Sequence, residues 1–148
     1  MDDHWCLINY ITMNILVKWD KNLELNIKEI DQQHRKFIDI INVLYDSIIR
    51  KEDDGVLVKT IADMRDYAFV HFKTEEKWFE QIGYPDAEAH QAEHHFFLEN
   101  IEKFYVEYQM YDTTLAVDVL TFLQEWLVNH IMRVDKKYIT SFINNGIK

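Results

Sequence analysis

The sequence has 148 residues, of which 48% are hydrophobic, and a formal net charge of −10. This length favours one domain, and three glycines and one proline are too few for a turn-rich β-sandwich or a disordered chain. The acidic charge argues against a nucleic-acid partner, no apolar run reaches the roughly 20 residues of a membrane span, and the single cysteine, Cys6, excludes an internal disulfide.

The first 13 residues show little apolar periodicity. They are predicted to be an N-terminal extension, residues 1–13, to a domain that covers residues 14–148. The chain starts with Met1-Asp2-Asp3 and lacks the basic segment typical of a secretory signal, so a cytoplasmic location is expected. The sequence predicts no particular protein partner.

The apolar period predicts four helices in the rest of the chain. The first covers residues 31–51 with Asp31 as its N-cap, and its inward stripe repeats at spacings of four, three and four. The others cover residues 56–82, 86–110 and 115–143, with Asp112-Thr113-Thr114 as a turn and cap before the last. Helices of this length joined by short loops fold back on their neighbours, so we expect an all-α, up-down-up-down antiparallel four-helix bundle.

Polar side chains interrupt the apolar stripes of all four predicted helices. His71 and Glu75 are four residues apart on the second helix, and His90 and His94 are four apart on the third, so each pair projects from one helix face. The first and fourth helices contribute the rest. The seven potential ligands are His34, His71, Glu75, His90, His94, His130 and Asp135.

Asp135 is the least certain member of this set by geometry. It lies five residues after His130, which in a regular α-helix places the two side chains about 140° apart. Asp135 therefore requires a bent helix or a long reach to share the site.

For any one of these histidines, a core residue satisfied by a hydrogen bond is the simpler interpretation. It fails for the whole set, because burying five imidazoles and two carboxylates without a cation leaves several unpaired polar groups, each costing roughly 1 to 3 kcal/mol. One tetrahedral zinc ion would use four ligands and leave three, so two metal ions fit better. Imidazoles and carboxylates without a thiolate favour a di-iron centre.

Two other kinds of di-metal protein do not match the motifs. Ferritin-like di-iron bundles carry Glu-x-x-His pairs, and the sequence has none. It also lacks the His-Asp dipeptide typical of metal-dependent phosphohydrolases of the HD type.

Four motifs resemble those of the hemerythrin family, in particular its bacterial single-domain members. They are Asp31-Gln32-Gln33-His34, His71-Phe72-Lys73-Thr74-Glu75-Glu76, His90-Gln91-Ala92-Glu93-His94, and Asn129-His130 followed by Asp135. The resemblance implies two iron ions per chain, one bound by His90, His94 and His130 and the other by His34 and His71. It also implies that Glu75, Asp135 and an oxo or hydroxo group bridge the two ions.

The resemblance implies reversible dioxygen binding, for storage, delivery or sensing, and not an enzyme. With the bridge included, the first iron has six ligands and the second has five, so dioxygen would bind at the second. A di-iron oxidase or peroxidase, or a sensor of nitric oxide, redox state or iron, remains the alternative on the same scaffold.

Apolar side chains within about one turn of the ligands are candidates for a wall around the open position, although plain core packing also explains each of them. They are Leu127, Phe37, Ile38, Phe72 and Ile131. Leu127 is the preferred candidate because it matches a pocket position of the family. His4, His95 and Glu76 are predicted to lie outside the site, with Glu76 facing solvent.

Overall fold

The computed structural model describes residues 13–110 and 114–148, and over these residues it contains helices and no strand. The helices are α1 Lys28–Ile49, α2 Gly55–Ile82, α3 Ala87–Gln109, α4 Leu115–Trp126 and α5 Ile139–Asn144, with a short 3₁₀ helix at Lys21–Leu23. A π-helix, Leu127–Val134, and a 3₁₀ turn, Asp135–Tyr138, join α4 to α5. The all-α four-helix bundle is confirmed. Cys6, His4, Asp112 and Thr113 lie outside the described residues.

Helices α1 to α4 each pack against the next one in the chain, and α1 also packs against α4, which closes the bundle. Helix α5 packs against α2 and the 3₁₀ turn that precedes it. None of the helices in the described part of the chain is long and apolar enough to cross a lipid bilayer.

The start of α1 differs from the prediction. The helix begins at Lys28 and ends at Ile49, not at residues 31 and 51, and Asp31 is not its N-cap. Asp31 lies inside the first turn, where its carboxylate accepts hydrogen bonds from the backbone N–H groups of Leu25 and Asn26 at 2.8 and 3.1 Å. Because these donors precede the helix, the carboxylate fixes the bend at Asn26, whose φ of 60° lies in the left-handed region.

The core consists of two apolar clusters with a polar layer between them. The larger cluster includes Phe72 of α2 and Ile131 of the π-helix, and the smaller one includes Phe79 and Tyr138. Glu75 lies one turn from both α2 members, and Asp135 lies between Ile131 and Tyr138 in the chain. Both carboxylates are fully buried, so the bundle holds its charged groups between two apolar layers.

Candidate metal centre

The structure brings all seven predicted ligands together in the interior of the bundle. Each is at most 3% exposed. They fall into two groups in which the ligand atoms lie within 4.8 Å of one another: Glu75, His90, His94 and His130 in one, and His34, His71 and Asp135 in the other. The histidines thus divide three to two.

Regular helix geometry accounts for the pairs on α2 and α3. Nε2 of His71 lies 2.7 Å from Oε1 of Glu75, one turn later. The rings of His90 and His94 are also one turn apart, with centroids separated by 4.6 Å. Side chains at positions i and i+4 share a helix face, so each helix delivers two donors to the same layer.

Asp135 reaches the cluster because the fourth helix is not a regular α-helix at this point. Its Oδ1 atom lies 3.0 Å from Nε2 of His130. Over Leu127–Val134 the backbone forms a π-helix, in which each turn contains more residues than an α-helical turn. The wider turn brings residues five apart onto the same face. Asp135 therefore shares the site with His130 through a distorted helix, as expected from the sequence.

Both carboxylates lie between the two groups of histidines. Oδ1 of Asp135 is 3.1 Å from Nε2 of His90, and its Oδ2 is 3.1 Å from Nε2 of His34. Oε1 of Glu75, which faces His71, is also 3.4 Å from Nε2 of His94. Each carboxylate therefore faces one histidine group on either side, as a bridging ligand would.

Many polar atoms at the centre of the cluster have no hydrogen-bond partner among the described residues, although they are buried. They are Nε2 of His71, His90, His94 and His130, both carboxylate oxygens of Glu75 and Oδ1 of Asp135. Their close approaches to one another lack hydrogen-bond geometry. Buried polar groups are rarely left unpaired because each costs free energy. The donor set therefore fits bound metal, which the imidazole and carboxylate atoms could ligate.

The carboxylates and histidines perturb each other's protonation. Burial alone would lower the pKa of His90, but the nearby carboxylates of Asp135 and Glu75 outweigh it and raise the pKa to about 10. The pKa of His130 is also raised, because Asp135 outweighs burial. Burial raises the pKa of Glu75, but interactions with His71, His90 and His94 outweigh it and hold the pKa well below its usual range. Burial lowers the pKa of His71 itself, so without metal the protonated imidazole that compensates the ionised carboxylates is that of His90.

Three of the histidines use Nδ1 to hydrogen-bond a side chain on a neighbouring helix. Nδ1 of His71 lies 2.7 Å from Oε1 of Gln33, and Nδ1 of His94 lies 2.9 Å from Oε1 of Glu76. Nδ1 of His130 is hydrogen-bonded to Oε2 of Glu93. A donated Nδ1–H leaves Nε2, the atom that faces the cluster, free to bind metal.

The prediction for Glu76 was wrong. It was expected to face solvent because it follows Glu75 directly, but its side chain reaches across to α3 and contacts His94. The contact of Glu93 with His130 was not predicted for a related reason. Glu93 precedes His94 directly, so its side chain points away from the site on its own helix. Both reach a histidine on the next helix, which periodicity within one helix cannot reveal.

Aromatic rings stack on the faces of three of the imidazoles. Phe72 stacks on His94 with a centroid distance of 3.8 Å and an interplanar angle of 7°. Trp126 stacks on His130 at 4.0 Å. Tyr67, which the sequence analysis did not single out, stacks on His71 at 5.1 Å. These contacts restrict rotation of the imidazole rings.

The five predicted wall residues, Leu127, Phe37, Ile38, Phe72 and Ile131, are all buried in the larger apolar cluster. Phe72 contacts His94 directly, while the Phe37 ring packs on Tyr67 at 5.2 Å, behind His71. Their role as a ligand pocket stays a prediction. His95 is exposed, as expected for a residue next to His94.

Comparison with known proteins gives matches over most of the chain. The family model for the hemerythrin HHE cation binding domain matches residues 25–141, a span that contains all seven clustered side chains. Bacteriohemerythrin of Clostridium acetobutylicum is 32% identical over 127 residues, which cover 82% of this chain and 97% of that protein. Bacteriohemerythrin of Stenotrophomonas maltophilia is 32% identical over 123 residues, 83% of this chain and 79% of that protein.

A more distant relative also matches. The hemerythrin-like protein of Naegleria gruberi is 26% identical over 120 residues, which cover 81% of this chain and 88% of that protein.

Proposed function

Because the chain belongs to the hemerythrin family, whose domain binds non-haem iron, we propose that its buried cluster holds two iron ions and binds dioxygen reversibly. The observation that carries this proposal is the unequal division of the histidines, three in one group and two in the other. Two carboxylates lie between the groups. An unequal division leaves one ion with fewer protein ligands, and therefore with room for an external one.

The proposed ligand sets follow the two groups. His90, His94 and His130 would hold one iron, His34 and His71 would hold the other, and Glu75 and Asp135 would serve both. The ion held by two histidines would then have fewer protein ligands and room for dioxygen. The orphaned Nε2 and carboxylate atoms support this assignment because a pair of cations would satisfy them.

Ferrous iron, when bound, supplies the electrons that hold dioxygen and recovers them when dioxygen leaves. The protein's part is to orient the ligands and to limit access of water. Gln33, Glu76 and Glu93 fix three imidazoles through Nδ1. Because each acceptor oxygen keeps the proton on Nδ1 of its histidine, the Nε2 atom is available as a metal ligand.

We further propose that the five wall residues keep water and protons away from the cluster. Leu127 is 5% exposed, lies one turn before His130, and belongs to the same apolar cluster as Ile38 and Ile131. A dry surrounding favours release of dioxygen over its irreversible reduction, because reduction consumes protons. This is the physical reason for proposing a binding protein and not an enzyme.

Stoichiometric gas exchange tests the proposal. Purified protein reduced without air should contain two iron ions per chain, take up about one dioxygen per chain, and return it when the solution is degassed. Uptake that continues beyond one equivalent, or dioxygen that is consumed and not returned, would instead identify an oxidase, a peroxidase or a redox sensor.

A further inference from the structure

A groove between α3 and α4 lies outside the proposed dioxygen site. Its volume is about 500 Å³, which is within the range of small-molecule pockets. Three aromatic side chains, Phe96, Phe122 and Trp126, line it, together with Glu93, Glu125 and His130.

Aromatic side chains line this groove. Phe96 is 56% exposed, although a large apolar side chain is normally buried where the fold allows it. Its ring contacts Phe122 at a centroid distance of 6.1 Å, while Trp126 stacks on His130 at 4.0 Å. The groove thus presents aromatic rings to anything that enters.

The ionisable side chains that line the groove are two glutamates, Glu93 and Glu125, and one histidine, His130. No lysine or arginine is among the described lining residues. Oε2 of Glu93 accepts a hydrogen bond from His130, while the side chain remains 45% exposed. Aromatic faces and carboxylates both attract cations and repel anions, and the chain's net charge of −10 acts in the same direction.

We propose that the α3–α4 groove binds a small organic cation with a planar aromatic body. Its rings stack on Phe96 and Phe122, and its positive charge faces Glu93 and Glu125. A ligand in this position lies beside His130, which also lines the groove. The proposal does not depend on dioxygen binding, and its failure would leave the proposed function untouched.

Calorimetric titration with two matched probes tests the groove. N-methylquinolinium carries a permanent charge, while quinoline has the same rings and is neutral at pH 8. We expect saturable binding of one N-methylquinolinium per chain, about tenfold tighter than quinoline, because only the charged probe gains from the carboxylates and ring faces. Affinity should fall as salt is added.

Three variants locate the binding. Phe96→Ser and Glu125→Gln should each weaken N-methylquinolinium about fivefold or more, since one removes a stacking face and the other a charge. Glu80→Gln removes the same charge from an exposed position of α2 outside the groove, so it should leave the affinity unchanged. Circular dichroism tests whether each variant is folded. If Phe96→Ser does not fold, the affinity of Glu125→Gln for N-methylquinolinium tests the proposal.

Equal affinities for the two probes, or affinities unaffected by Phe96→Ser and Glu125→Gln, would overturn the proposal. So would a dimer, seen by sedimentation, that Phe96→Ser dissociates, because a second copy would then cover the groove.

Discussion

The carboxylate of Asp135 approaches the imidazole of His130 to 3.0 Å although the two residues are five positions apart in one helix. A regular α-helix would place them about 140° apart, and the π-helix at Leu127–Val134 removes that difference. Wide turns of this kind often occur at functional sites. Here the wide turn brings Asp135 into the cluster beside His130.

Asp135→Asn tests the role of this residue between the two histidine groups. The variant keeps the size of the side chain and removes the negative charge that faces His90 and His130. We expect iron content to fall below half of the wild-type value, because a shared anionic ligand is lost. Iron retained at the wild-type level would show that Asp135 is not a ligand.

His71→Ala tests the two-histidine group. The change removes one of only two imidazoles in that group, so iron content should fall from two ions per chain to one. His95→Ala is the matched control, since His95 is an exposed histidine beside a proposed ligand. If His71→Ala retains two irons, the ligand assignment is wrong.

Glu93→Gln tests the hydrogen bond at Nδ1 of His130. Loss of the anionic acceptor makes the imidazole a weaker ligand, and metal affinity should fall by about 10- to 100-fold. Competition with a chelator measures this affinity. Glu99→Gln, which removes a charge from an exposed position of the same helix, should bind metal as the wild type does; an equal loss in both variants would point to net charge as the cause.

Metal uptake by the apo-protein should release protons. The pKa of His90 is raised to about 10 and that of His130 is also raised, so the His90 imidazole carries a second proton at pH 7.5 that a metal ion must displace. In the apo-protein, the raised pKa of His90 stabilises the fold fully below about pH 6.5 and progressively less as pH rises through 10.

The difference in Tm between metal-loaded and apo-protein should therefore widen from pH 6.5 to pH 10. A pH indicator measures the proton release, and differential scanning calorimetry measures Tm. Metal uptake without proton release at pH 7.5 would contradict the raised pKa values.

Leu127→Ala tests the proposed wall, with Leu123→Ala as its control one turn earlier in the fourth helix. Both side chains are buried, and each deletion should lower the free energy of unfolding by about 2 to 5 kcal/mol. Only Leu127→Ala should speed oxidation of the iron in air, because it alone opens a path for water beside His130. Equal oxidation rates in the two variants would make Leu127 a plain core residue.

The sequence was sufficient to predict the bundle and six of the seven clustered side chains from the spacing of residues within single helices, whereas Asp135 departs from that spacing. His71 with Glu75, and His90 with His94, need only the α-helical repeat. What spacing could not predict depends on contacts between elements. Glu76 and Glu93 contact histidines of adjacent helices, and Asp31 bonds backbone groups that precede its helix. The π-helix at Leu127–Val134 was not predicted either, since no residue pattern distinguishes it from an α-helix.

Reversible dioxygen binding is tested most directly by an optical cycle on protein that has been reduced without air. We expect a visible charge-transfer band to appear on exposure to air, to disappear when dioxygen is removed, and to return on a second exposure with its intensity retained. A band that forms once and persists after deoxygenation, with loss of the ferrous state, would contradict reversible dioxygen binding.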